Sequence, residues 1–490
     1  MAVGLMVSRR GGVVESRGEA VLRGCAELKR LRREVYGCFS RRADALFELS
    51  DALLCAAGPV LSPVELSMEP EFGRGHGSVY DALHAGRIDT AGLRRVLTGV
   101  VAEPRAGEPL MFGVDVSPLP RPVCRYVEGL SMVQVRAVGG NQFVAGWPVS
   151  ILVGVGWGTC SWVDPVDARR IAPGEDHATV AIEQVRALVA DLSATGRWSP
   201  GDAAPLVMFD AGYPGTDLAH TLADTPVQLL VRVRSDRVFY RAPSPVRPRY
   251  GRAPRRGARL VCADPETWPA PDDQISAHSP RYGAVRVTAW RTVHQRLQRN
   301  GRFTHFPADR DLPVVPGTLI RVQVEKLPHG GAAKPLWLWH HAAPGGEPDI
   351  DLLWKAYLRR FDQEHFHRFA KVYLGLDTAR LLSAQATDRW IWLIMAGYAQ
   401  LRHAAALVAD QPRPWHKKTA PGALPTPCRT RTGFRRLRAQ LGTPAGMAKP
   451  TTPGPGRPPG RKNRPKSRIP VYRAPGKNPE PARQDGNPAP

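Results

Sequence analysis

Cysteine is scarce in this chain, and none of it is paired by spacing. Cys25, Cys38, Cys55, Cys124, Cys160, Cys262 and Cys428 lie far apart and form no C-x-x-C pair. That argues against a zinc module and against a disulfide framework, so a reducing cytosol is the expected compartment. Long apolar runs are missing too. The N-terminus lacks the apolar core of a signal peptide. The most apolar stretch, RWIWLIMAGYAQLRHAAALVA (389–409), is interrupted by Gln400, Arg402 and His403. It predicts a buried helix and no membrane span. Acid is the third shortage. Against 68 Lys and Arg stand 44 Asp and Glu, a formal net charge of +24. Coding bias can explain Arg in place of Lys, but not an excess of bases over acids. The charge predicts a polyanionic partner, nucleic acid first.

What is present divides the 490 residues into five regions. Residues 1–105 read as short basic helices, a region expected to bind DNA ends. From 106 to 235 the texture becomes mixed α/β. PLMFGVDVSPL, MVQVRAVGG and VSILVGVGWGT read as a three-strand antiparallel meander. A helix over DHATVAIEQVRALVADLSATG follows, then the short apolar strand of APLVMFDAGYPG and a further strand in VQLLVRVRSDRVFY. Residues 236–345, rich in Pro, Arg and Gly, read as a β-rich insertion. Helical patterning returns over 346–412. Residues 413–490 are Pro-rich and basic, and composition predicts a largely disordered tail.

The densest chemistry lies in YLRRFDQEHFHRFAK, Tyr357 to Lys371. On one continuous helix, Tyr357, Arg360, Glu364 and Lys371 fall within an arc of roughly 60°. Trp354, Leu358, Phe361, Phe369 and Val372 form the adjoining packing stripe. A salt-bridged surface helix also carries Arg–Glu pairs at this spacing, so geometry alone leaves both readings open. Two further acids weigh in. Asp115 sits mid-strand in FGVDVSP, where an unpaired carboxylate is disfavoured. Asp210 ends an apolar strand in LVMFDAGY, and Gly212 permits a sharp turn there. The end of a buried strand is a usual place for a site residue.

These residues give the chain a resemblance to bacterial insertion-sequence transposases, which carry a DDE triad on a ribonuclease-H-like fold. One group of them has the signature Y-x2-R-x3-E-x6-K, matched here by Tyr357, Arg360, Glu364 and Lys371. An Asp followed by Gly and an aromatic, as in DAGY, and a long β-rich insertion before the Glu add to the likeness. It covers about residues 105–410. The resemblance implies an α/β fold: a mixed sheet flanked by helices, with a β-rich insertion, a helical N-terminal region and a basic tail. It implies Asp115, Asp210 and Glu364 as catalytic, metal-binding carboxylates. Mg²⁺ is the expected ion, with Mn²⁺ as substitute, because hard cations suit oxygen donors. Tyr357, Arg360 and Lys371 would contact DNA. The implied partners are double-stranded DNA and a second copy in a synaptic homodimer, on the nucleoid of a bacterial cytoplasm.

Other conspicuous residues are given plainer readings. Asp164 and Asp167 in WVDPVDARR are expected in a Pro-containing loop. His365 and His367 diverge on the helix and are expected at the surface or facing a partner. GVGWGT (154–159) reads as packed strand, Trp157 and Trp162 as core, and GRPPGRK (456–462) as part of a phosphate-binding tail. Two other functions remain open: a catalytically inactive DNA-binding protein on the same fold, and a ribonuclease-H-like nuclease without strand transfer.

Overall fold

The computed structural model describes residues 17–122, 127–137, 140–158, 160–243, 256–299, 301–304, 306–328, 330–331, 333–342, 348–412, 414–415, 423–449 and 471. The described residues open with helix α1 (Arg17–Gly37), strand β1 (Phe39–Arg41), α2 (Ala43–Cys55), α3 (Gly77–Ala85), β2 (Arg87–Ile88) and α4 (Thr90–Thr98). The sheet strands then begin: β3 (Met111–Pro120), β4 (Ser131–Ala137), β5 (Gly140–Val155) and β6 (Val163–Arg170). They are followed by α5 (His177–Ala194), β7 (Leu206–Phe209), α6 (Gly215–Thr221) and β8 (Gln228–Val233).

The middle of the sheet runs β6-β5-β3-β7-β8. β6, β5 and β3 are antiparallel, whereas β3, β7 and β8 are parallel and joined through α5 and α6. Parallel strands need such crossovers, which cover both sheet faces and make the strands apolar throughout. LVMF of β7 is buried along its whole length. One apolar cluster lies on each face. Met111, Leu206, Met208 and Leu230 belong to the first, and Phe112, Val114, Val207, Phe209 and Leu229 to the second. This is the ribonuclease-H-like mixed sheet that the resemblance implied.

The expected meander is not formed. Strand β5 lies between β3 and β4 because its 16 residues serve three partners. Its first half turns back on β4, while its second half pairs with β3 along one edge and β6 along the other. The segment WVDPVDARR is therefore strand β6, not a loop. Asp164 accepts the Ala102 N–H at 3.0 Å, and buried Asp167 lies beside Arg94 and Gln184. GVGWGT splits: Gly154 and Val155 end β5, and a loop follows. Trp162 is buried and its indole N–H donates to the Pro425 carbonyl, while Trp157 is half-buried.

The Pro- and Arg-rich region contributes a small ladder, β9 (Val238–Tyr240) with β10 (Arg259–Val261). It also contributes β11 (Asp273–Ser279), β12 (Gly283–Val293), β13 (Gly317–Val324) and β14 (Leu336–His341). β14 pairs antiparallel with β8, so these four strands extend the same sheet to ten.

Helices α7 (Ile350–Arg359), α8 (Asp362–Val372), α9 (Ala384–Ala404) and α10 (Pro427–Leu441) complete the described fold. The buried α9 fills the apolar run noted above, and no described helix is long and apolar enough to cross a membrane. Within 413–490, the region read from composition as a largely disordered tail, residues Pro427–Leu441 form α10, and most of the remainder lies outside the described residues. Phe434 and Leu437 are buried, and the arginines of α10 answer groups of the N-terminal helices. Arg431 donates to the Leu53 carbonyl, Arg438 meets Asp51 at 3.1 Å, and Arg435 meets Glu71 at 3.0 Å. Asp51 is also paired bidentately with buried Arg32, which donates in turn to Gln400 of α9. The motif at 456–462 and Cys124 lie outside the described residues. The other six cysteines are free thiols.

Candidate active site

Asp115 and Asp210 come together through strand register. The parallel pair β3–β7 aligns Val114 with Phe209, so the next residues of the two strands stand side by side. Asp115 follows Met111 and Gly113 on the face toward α7 and α8, by the alternation of a strand. Its Oδ1 accepts the Val116 N–H at 2.9 Å, and its Oδ2 lies 3.8 Å from Arg360 Nη1. Asp210 Oδ1 accepts the Gly212 N–H at 2.9 Å, closing a tight turn just beyond β7. Both carboxylates line one cleft of about 630 Å³, with Glu175, His177, Gly212 and Tyr213 on its wall.

Burial is the largest influence on the electrostatics of this cleft. Burial pushes the Asp115 carboxyl up to about 6; Arg360 opposes the shift, while Asp210 and Glu364 add to it. Glu364 thus acts on Asp115 through its charge. It sits in the first turn of α8, exposed, and is not part of the cleft lining. Among the described residues, no three His, Cys, Asp or Glu side chains are already arranged to hold a metal ion together.

The stretch 350–372 is two helices, not one. At the junction, the N–H groups of Arg360, Phe361, Gln363 and Glu364 bond carbonyls three residues back. Such a tight turn rotates the chain further per residue than an α-helix and resets the phase of α8. The expected faces change accordingly. Tyr357 is fully buried in the core, whereas Phe361 is 39% and Val372 50% exposed. Arg360 is buried beside the acids with its guanidinium over the Tyr357 and Phe361 rings, at 5.5 and 5.7 Å. Burial works against its charge, but Tyr357, Asp115 and Asp210 hold it in place. Its Nε and Nη1 make no hydrogen bond within the described residues. Lys371 reaches β3, donating to the Pro118 carbonyl at 3.0 Å; burial draws its pKa down. His365 is exposed as expected. His367 is half-buried, with its Nε2 buried; burial and the charges of Lys371 and Arg360 lower its pKa to about 3, which keeps it neutral.

Sequence reading passed over several groups at the site. Gln363 is fully buried and donates to the Ile151 carbonyl at 3.0 Å, tying α8 to β5. Gly113 allows that approach, since a Cβ there would lie 2.6 Å from Gln363 Oε1 and 3.4 Å from Arg360 Cγ. His177 stands at the start of α5, edge-on to the Tyr213 ring at 5.0 Å, with its Nε2 3.3 Å from the Gly212 carbonyl. Exposed Arg232 follows Val231, the register partner of Phe209, and so flanks Asp210. The Gly of DAGY was a visible signal; its meeting with His177 at one cleft was not.

No curated protein matches the chain. A family model described as DDE superfamily endonuclease matches residues 34–299, more than half of the chain, a span that includes Asp115 and Asp210 and ends before Glu364. The chain belongs to the DDE superfamily endonucleases.

Proposed function

We propose that this protein is a DNA transposase of the insertion-sequence type, which cuts the ends of its element and joins the freed 3′-hydroxyls to target DNA. The observation that carries the reading is the pairing of Asp115, in the middle of β3, with Asp210, just beyond the end of β7, beside a buried cation, Arg360, with unused N–H groups. A charged fork held next to a carboxylate cleft suits a phosphodiester, whose oxygens accept charge-assisted hydrogen bonds. In this reading Arg360 and Lys371 hold phosphate oxygens and Arg232 supports the backbone nearby. Tyr357 serves as the platform on which the Arg360 guanidinium rests, rather than touching DNA from a solvated face. A homodimer acting on paired double-stranded ends in a bacterial cytoplasm belongs to the same proposal.

The donor set fits a divalent cation. It is made of carboxylate oxygens, and burial, with Asp210 and Glu364 adding, pushes the Asp115 carboxyl up, a push that a cation between the acids would oppose. Asp115, Asp210 and Glu364 would hold the ion, Mg²⁺ by the hardness of the donors. A bound ion of this kind polarises phosphate oxygens and supports the attacking and leaving oxygens. The protein's own part is to hold β3 and β7 in register, anchor α8 through Gln363, and grip the phosphate.

The test uses purified protein and the DNA flanking its reading frame. Glu364→Gln and Asp210→Asn are each expected to lower divalent-dependent cleavage by at least about a hundredfold, with DNA affinity nearly unchanged. Full cleavage by either variant would remove that residue from the site. A readout independent of turnover accompanies it. Mg²⁺ at about one hundred times its Kd adds about 2.7 kcal/mol of stability, so Tm should rise in the wild type and stay fixed in Asp115→Asn/Asp210→Asn. Joining of cleaved ends to a second plasmid separates transposition from nuclease action alone.

A further inference from the structure

The turn that carries Asp210 hangs on a glycine. Asp210 Oδ1 accepts the Gly212 N–H at 2.9 Å, and the Tyr213 N–H reaches back to the Asp210 carbonyl at 3.4 Å. The space is small: a Cβ on Gly212 would stand 3.0 Å from Asp210 Oδ1. Glycine satisfies that spacing, but its backbone has the widest choice of conformations of any residue. A carboxylate oriented through such a link keeps its direction only if the link is held from elsewhere.

His177, which lines the acidic cleft with Asp210, supplies that hold. A carbonyl oxygen only accepts, so at the 3.3 Å contact His177 Nε2 carries the proton and donates to the Gly212 carbonyl. Gly212 is thereby fixed at both of its peptide groups, by Asp210 on one side and His177 on the other. The imidazole also meets the Tyr213 ring edge-on at 5.0 Å, and Tyr213 packs in turn against Phe209 of β7 at 5.0 Å. The histidine is itself well anchored. Asp176 caps α5 by accepting the Thr179 N–H at 3.2 Å, and α5 buries Ala178, Ala181, Ile182 and Val185 in the core. The Asp176 carboxylate lies 3.6 Å from His177 Nδ1 and pairs at 2.7 Å with Arg302, from the loop between β12 and β13.

We infer that His177 is a positioning residue of the active site: through the Gly212 carbonyl it sets the Asp210 carboxylate for a divalent ion. The inference rests on the reading that Asp210 holds such an ion, and it adds a residue outside the acid set. Mg²⁺ demands near-ideal geometry from its ligands, so a carboxylate free to swing loses affinity. Groups that orient a ligand from behind typically contribute about ten- to a hundredfold to metal affinity or activity. His177 touches neither the ion nor the DNA in this role. Its contribution therefore shows in how much divalent ion is needed, and not in the rate once the ion is saturating.

The test titrates full-length protein with Mg²⁺ and reads the midpoint of the Tm rise without DNA, beside the Mg²⁺ dependence of cleavage. His177→Phe keeps a ring against Tyr213 and removes the N–H. It should raise the midpoint about tenfold, with cleavage at saturating Mg²⁺ within about twofold of wild type. His177→Gln returns an N–H near the Nε2 position and should bring the midpoint back to within about threefold. Arg186→Ala cuts the bond from α5 to the Thr221 carbonyl of α6, away from Gly212, and should leave the midpoint unchanged. Histidine ring NMR gives a readout on the wild type. The His177 resonance, assigned by its loss in His177→Gln, should move on Mg²⁺ addition and stay in place in Asp210→Asn. An unchanged midpoint in His177→Phe, equal shifts in the Phe and Gln variants, an equal shift in Arg186→Ala, or a His177 resonance unmoved by Mg²⁺ would overturn the positioning role and leave Asp210 as a ligand. A wild type whose Tm does not respond to Mg²⁺ would overturn the ion-binding reading and the positioning role together.

Discussion

At the residue scale, the site depends on what a glycine leaves out. Gly113 is two residues before Asp115 on the same strand face, and the space above it holds Gln363 and Arg360. Gly113→Ala should push Gln363 off the Ile151 carbonyl and lift the α7–α8 junction. Because the crowded atom ends a flexible side chain, the stability loss should be small, about 1 kcal/mol, read as a Tm drop of a few degrees. Cleavage should fall much further than stability. Equal, small effects on both would mean that the junction does not position the site. Gly113 drew no notice in the sequence, since a glycine in a strand carries no chemistry of its own. The acids were legible for the opposite reason: a carboxylate inside an apolar run is conspicuous. Arg360 and Glu364 were legible from their spacing, but the face they occupy was not. Helical periodicity assumes constant rotation, and the junction bonds at 360–364 break it.

At the element scale, the seam between β8 and β14 decides whether the inserted strands belong to the sheet. His340 is buried in that seam, its ring nitrogen Nε2 3.1 Å from Gln228 Oε1. Burial, with His341 adding, lowers its pKa to about 4, against about 6.5 for an unfolded histidine. Between those values the folded state binds fewer protons than the unfolded one, so stability falls as pH drops from 6.5 toward 4. The full linkage amounts to about 3 kcal/mol. His340→Gln should therefore flatten the pH dependence of urea unfolding between pH 4.5 and 6.5 by up to one proton. An unchanged slope would place His340 outside the protonation-linked seam. The β-rich texture of 236–345 was readable in its alternating runs. That four of these strands add to one edge of the sheet was not, because pairing partners more than a hundred residues apart leave no local trace.

For the whole molecule, the first and last helices are one unit. Arg32, Asp51, Gln400 and Arg438 form a buried polar network across α1, α2, α9 and α10, and Gly442 accepts from Arg32. Removing one partner from such a network costs about 3–5 kcal/mol. Truncation after Pro425 should lower Tm by ten degrees or more, whereas truncation after Lys449 should leave Tm unchanged and weaken salt-dependent DNA binding. Loss of folding in the shorter truncation would show that residues beyond 449 support the fold. Local sequence pattern indicated the class of the protein: a basic chain with strand and helix runs ordered as mixed α/β, acids at strand positions, and a basic region near its end. Those features are local, and local preference is written in consecutive residues. Tertiary structure decided the rest. It set β5 between β3 and β4, turned basic α10 into a clamp on acids of the N-terminal helices, buried Tyr357, and brought Arg360 to Asp115. Each of these outcomes depends on which distant surfaces exclude water together, and no sequence window contains both sides of such a contact.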